Sequence, residues 1–398
     1  MRITTISKVE YKKIIGNFFL TLSSIYIPLV LISAFDFYSI NNPQRIAPSR
    51  RKIEDLPQKI AAVEEGRFPI FAPDVILHSK AKPPIYPIGS LPYTKSYYCN
   101  EGYGLIKYKT DRFGLRNFDD KWSRIKKQRN IFLIGDSFVH GACVNDNETI
   151  SRKLESFSNI NTLNLGSGSN GPYEYMAIMK SLIKPILKKS NKENTVILVF
   201  YDNDNKTTNK KKESLVNITN SIVEFSPKLG FYPKDSYLKK YYNFIRSNYD
   251  LSKSEIISEI KKVAKKNFKN SAFYNISTIF PLRKRMKLIN SFFIRENYNE
   301  TFHSPSQRAI LMLSNICKNK CKPYIAYIPE RNIGNFNSRK VLKYKKTLVE
   351  TSNKLKIPFL DAQKFLDKRN RDNYAPKGSH LSIKGYEDFA NFLNKNIN

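Results

Sequence analysis

Five short apolar runs punctuate the chain: Ile131–Ile134, Thr162–Leu165, Val196–Tyr201, Tyr324–Ile328 and Pro358–Leu360. Runs of this length with no polar alternation suit strands buried on both faces of a parallel sheet. Helical spacing fills the stretches between and after them, at Thr149–Phe157, Tyr173–Lys188, Ser306–Asn315, Ser338–Leu355 and Ile383–Asn394. The alternation predicts an α/β domain with helices on both faces of a parallel sheet. It lapses over 205–302, which opens on N-K-T-T-N-K-K-K-E-S and continues in basic, mostly helical patterns such as Glu255–Lys269. That region reads as an insertion into the α/β core. Upstream, Tyr97–Leu115 alternates and carries turn glycines, which predicts a small hairpin. Residues 38–90 are rich in proline and charge and read as a stalk or irregular wrapping.

One apolar run is longer. From Ile14 to Phe35 there is no charge, and at ~1.5 Å per residue this stretch can cross a hydrocarbon core of ~30 Å. Arg2, Lys8, Lys12 and Lys13 precede it, which favours a cytoplasmic N-terminus. The rival, a cleaved signal peptide, would want a shorter stretch and a clear small-x-small site. The expected organisation is therefore a cytoplasmic N-terminus at 1–13, a transmembrane anchor at 14–36, and a stalk with a small prefix segment at 37–128. The main domain follows at 129–398, outside the cytoplasm (on the periplasmic side in a bacterium), with the basic helical insertion at 205–302.

Charge changes this picture little. Lys and Arg number 68 against 34 Asp and Glu, a net charge of +34. The lysines are spread along the chain, and no zinc-finger, RNP-like or GXXG pattern accompanies them, so no specific nucleic-acid partner is expected. A general attraction to acidic glycans or lipid headgroups fits better. Outside the cytoplasm disulfides are allowed. A Cys99–Cys143 bridge would tie the prefix to the loop after Ser137, whereas Cys317 and Cys321 could pair or stay free. No cysteine stands at zinc-ligand spacing with any of His78, His140, His303 or His380, so no metal site is expected.

The candidate chemistry lies on loops that follow the strands. The first run stops at Gly135-Asp136-Ser137, placing a hydroxyl past the carboxyl end of a strand, where open α/β sheets put their ligands. Serine needs a base to take its proton. His380, in Lys377-Gly378-Ser379-His380-Leu381-Ser382 just before the last helix, is the candidate. His140 shares the serine turn and would contact substrate or merely pack. Oxyanion donors could come from the Ser137 N–H, from the loop Asn164 to Pro172, and from Asn203 after the third strand.

In this order, these blocks resemble the SGNH hydrolase (GDSL-like esterase/lipase) superfamily. Gly135-Asp136-Ser137 matches its nucleophile block, Asn164 to Gly171 its glycine block, Asn203-Asp204 its asparagine block and His380 its histidine block. The Cys99-Asn100-Glu101 to Gly114 stretch, followed by Gly-Asp-Ser and Cys143, also looks like a membrane-anchored bacterial subgroup. The resemblance implies a flavodoxin-like three-layer α/β/α fold, here with an N-terminal transmembrane helix and a helical insertion. It also implies Ser137 as nucleophile, His380 as base, and an oxyanion hole drawn from Ser137, Gly168 or Ser169, and Asn203, with no cofactor. The family usually carries an Asp two or three residues before its histidine, but here those positions are Gly378 and Lys377. The alternatives are a dyad, a backbone carbonyl, or a remote carboxylate such as Asp372 or Asp361. The implied reaction is cleavage of O-acyl esters on cell-envelope glycans or lipids through an acyl-serine. The other readings are an O-acyltransferase acting on a surface polysaccharide, and a degenerate glycan-binding or assembly protein.

Overall fold

A computed structural model of the chain describes residues 55–77, 83–158, 160–204, 210–265, 304–329, 339–366 and 371–397. The expected anchor at 14–36, the segment around it, and His78 and His303 lie outside these residues. Among the described residues no helix is long and apolar enough to cross a membrane.

The apolar runs form one sheet. Asn130–Ile134 (β1), Asn161–Asn164 (β2), Asn194–Tyr201 (β3), Lys322–Ile328 (β4) and Phe359–Asp361 (β5) lie in the order β5-β4-β3-β1-β2. Every neighbouring pair is parallel. This is the doubly wound order 2-1-3-4-5, in which the sheet's switch point falls between β1 and β3. The helices that pack on it are Ser137–His140 (α1), Ile150–Ser158 (α2), Pro172–Ile178 (α3), Pro305–Cys317 (α4), Arg339–Lys354 (α5) and Ile383–Ile397 (α6).

Alternate strand residues feed two apolar layers. Phe132, Ile134, Leu198 and Phe200 pack with α3, α4 and α5 through Met176, Ile310 and Leu348. Leu133, Ile197, Val199 and Ala326 pack with α2 and α6 through Leu154, Tyr386 and Phe389. The α/β/α sandwich follows from strands apolar on both sides.

Residues before β1 add to this core. Tyr86, Ile88, Phe113, Leu115 and Trp122 are buried in the first apolar layer. The expected hairpin pairs Lys95–Tyr97 with Lys107–Lys109, and Phe68–Pro69 joins it in parallel. The 205–302 region, where described, holds helices Lys210–Ile218, Asp235–Asn248 and 253–265, together with an antiparallel ribbon, Val223–Ser226 with Gly230–Pro233. It grips the prefix. The Arg112 guanidinium donates to the carbonyls of Leu229 at 2.7 Å and Phe231 at 3.0 Å. The Tyr241 hydroxyl donates to Gly89 O at 3.1 Å. Tyr241, Phe244 and Ile245 also pack on Ile76 and Leu91, while Ile256 packs on Ala62, Val63 and Tyr97.

Candidate active site

The serine turn is built for closeness. At Gly135 a Cβ would lie 2.4 Å from Val139 Cγ2, so only glycine lets α1 fold back directly on the end of β1. Asp136 caps that helix, its carboxylate accepting the Phe138 N–H at 2.9 Å. Ser137 is thus the first helical residue past β1 and is mostly buried. The loop after β2 lies flush against the turn, since a Cβ on Gly166 would meet His140 N at 2.5 Å.

His380 reaches this turn from a short hairpin held by the Tyr374–Leu381 bridge and by Ala375 N–H donating to His380 O at 2.8 Å. Its Nε2 stands 2.9 Å from Ser137 Oγ. Its Nδ1 stands 3.0 Å from Glu101 Oε1, and its backbone N–H donates to Glu101 Oε2 at 3.0 Å. Lys377 N–H donates to Glu101 O at 2.9 Å. The result is a carboxylate–imidazole–hydroxyl chain.

The group facing Nδ1 is therefore a remote carboxylate, one of the three alternatives the sequence left open, but it is Glu101 and neither Asp372 nor Asp361. Asp361 instead pairs with Lys345 at 2.5 Å and caps the turn after β5. Asp372 is exposed, and it is its backbone carbonyl that accepts the Ser382 hydroxyl. The reason is spatial. A Cβ at Gly378 would sit 1.6 Å from Glu101 Cδ, so the missing side chain there leaves room for the Glu101 carboxylate. Lys377 is exposed. Sequence reading had the signal for Glu101 in hand, because a Cys99–Cys143 bridge would bring the acid two residues after Cys99 to the serine loop.

That bridge forms, with Cα atoms 5.0 Å apart, and Cys317 pairs with Cys321. The acid loop is further shaped by Asn100, whose Oδ1 accepts the N–H groups of Gly102 at 2.9 Å and Gly104 at 3.1 Å. Glu101, Cys143 and His380 bring potential ligand atoms within 4.8 Å of one another. A disulfide sulfur has no thiolate to offer, however, so the trio does not make a metal-ligand set.

Among the expected oxyanion donors, Ser137 N–H opens α1. Ser169 takes a left-handed conformation at φ 62°, next to Gly168. Asn203 lies in a short turn, Asp202–Asp204, at the carboxyl end of β3; its side chain is outside the described residues. Asp204 pins that turn, accepting Tyr201 N–H and the Tyr175 hydroxyl, each at 2.9 Å. Sequence reading passed over Asn170 in the same glycine loop. It is buried, and its carboxamide meets no partner among the described residues.

His140 packs. It is buried with Nε2 3.2 Å from the Tyr108 hydroxyl and edge-on to the rings of Tyr98 and Tyr108. Burial, with Arg116 nearby, holds its imidazole well below the usual histidine range, so it stays neutral.

No family model matches the chain, and no curated protein matches it. Two solved structures are similar to 67% of it. One is a candidate lipolytic protein of G-D-S-L family from Desulfitobacterium hafniense DCB-2, at 11% identity and TM-score 0.32 over 98% of that chain. The other is a member of the lipolytic protein G-D-S-L family from Veillonella parvula DSM 2008, at 10% identity and TM-score 0.33 over 97% of that chain.

Proposed function

We propose that this chain is a serine ester hydrolase of SGNH type, with Ser137 as nucleophile, His380 as general base and Glu101 as the acid behind it. The observation that carries the reading is the Glu101–His380–Ser137 chain, with contacts of 3.0 Å and 2.9 Å at the two imidazole nitrogens. His380 Nε2 takes the Ser137 proton as Oγ attacks the ester carbonyl. Glu101 stabilises the imidazolium that forms and fixes its tautomer. The tetrahedral oxyanion is met by the Ser137 N–H, by the glycine loop at Gly168 and Ser169, and by Asn203. Collapse expels the alkoxide, which takes the proton from His380 and leaves an acyl-Ser137. Water, deprotonated by the same imidazole, then frees the acid.

The reading extends to substrate and place. Two disulfides favour an oxidising compartment, and the uncharged run from Ile14 to Phe35 suits an anchor with the described residues outside the cytoplasm. O-acyl esters on cell-envelope glycans or lipids are the substrate class within reach of such an enzyme.

The test is to treat the full chain with a fluorophosphonate and with p-nitrophenyl acetate. Expected are covalent labelling at Ser137 and turnover, both lost in Ser137→Ala and His380→Ala. A folded chain that is never labelled between mildly acidic and mildly alkaline pH would refute the reading.

A further inference from the structure

We propose that the Tyr98 hydroxyl is a further catalytic group of this centre, donating to the substrate oxygen that becomes the oxyanion. The inference rests on the hydrolase reading and adds a donor from outside the α/β core.

Tyr98 directly precedes Cys99, so the bridge that carries Glu101 to the serine turn carries this ring with it. It stands where three pieces of the site meet. Its ring lies edge-on to His140 of the serine turn, with centroids 5.2 Å apart. Its hydroxyl rests on the glycine loop, where a Cβ built on Gly168 would fall 2.4 Å from Tyr98 Oη and 3.1 Å from Cζ. Glu101 follows three residues later.

Gly168 thereby gains a physical reason. Its φ is not in the left-handed region, so backbone conformation does not demand glycine there. The approach of the hydroxyl does.

The hydroxyl makes no hydrogen bond to any described residue, although the ring is largely covered. The oxygen is not sealed from solvent, so a ligand oxygen above the glycine loop can reach it and accept its hydrogen bond. Burial and the carboxylates of Asp136 and Glu101 push the phenol well above its ordinary range. At working pH it therefore keeps its proton and donates. No proton leaves it during the reaction, and the hydrogen bond strengthens as charge gathers on the carbonyl oxygen.

The packing alternative is that Tyr98 only seals the glycine loop. Tyr98→Phe separates the two, because it keeps the ring and removes the donor. On p-nitrophenyl acetate, kcat of the full chain is expected to fall about 10²-fold, with KM changed less than about twofold and an unaltered thermal midpoint. Gly168→Ala should lose a similar factor by pushing the hydroxyl off the loop. Combining it with Tyr98→Phe should add little, because both act through one group. A Tyr98→Phe chain that turns over within about twofold of the parent, while the parent is labelled at Ser137, overturns the proposal and leaves the hydrolase reading standing. A parent that is never labelled removes both.

Discussion

At the smallest scale, the proposed roles of Ser137, His380 and Glu101 are each open to direct test. Glu101→Gln keeps the shape beside His380 and removes the charge that stabilises the imidazolium. By analogy with other triads it should lower kcat by up to about 10⁴-fold, measured on p-nitrophenyl acetate. Asp361→Asn and Asp372→Asn should leave the rate nearly unchanged in the same assay. Gly378→Ala strikes the same bond from the other side. Its new methyl meets the far end of a flexible side chain, not backbone, so the carboxylate swings away at little cost in stability. Activity should fall toward that of Glu101→Gln while the melting temperature holds, and a protein that unfolds but stays active per folded molecule would contradict this. His140 gives the pH dependence. The unfolded chain protonates this imidazole near pH ~6.5, whereas burial keeps the folded one neutral. Its contribution is complete above that pH and is lost as pH falls, by about 1.4 kcal/mol per unit. In urea unfolding, lowering the pH from about 7 to about 5 should destabilise the parent more than His140→Gln.

At the scale of elements, the five strands and the helices between them were legible because the runs of β1, β2 and β3 are wholly buried and those of β4 and β5 partly so. The expected and observed strand bounds differ by two residues or fewer, the largest differences being the earlier starts of Asn194–Tyr201 and Lys322–Ile328. Ser137, His380 and the cysteine pair were legible from motif and spacing. The acid was missed: its one signal was indirect, the Cys99–Cys143 pairing that carries the residue two positions after Cys99 to the serine loop. The insertion was read as helical and misses its ribbon, since Val223–Ser226 and Gly230–Pro233 are too short to show a clear period of two. Its observed role is to brace the prefix. The Cys99–Cys143 bridge joins the two loops across 44 positions, for which loop-closure entropy gives about 4 kcal/mol, against about 2 kcal/mol for the four-residue Cys317–Cys321 loop. Cys99→Ala/Cys143→Ala should therefore lose the larger share of stability in urea. It should also lose turnover at denaturant concentrations where it remains folded, because Glu101 is untethered. Cys317→Ala/Cys321→Ala should keep its rate.

Taken whole, the molecule does not divide at residue 129. Phe113, Leu115 and Trp122 are buried in the same layer as Leu163 and Leu198, and a fragment of residues 129–398 would leave that layer open. It should fail to give a cooperative unfolding transition by circular dichroism, whereas the full chain should give one. The reacting groups are correspondingly scattered. The base lies 243 positions after the nucleophile and 279 after the acid. A growing polypeptide thus exposes its hydroxyl and its carboxylate while most of the scaffold, and the imidazole itself, have yet to be synthesised. On the hydrolase reading, ester cleavage is the last property such a nascent chain would acquire, and a product terminated before the imidazole would lack its base even with Ser137 intact.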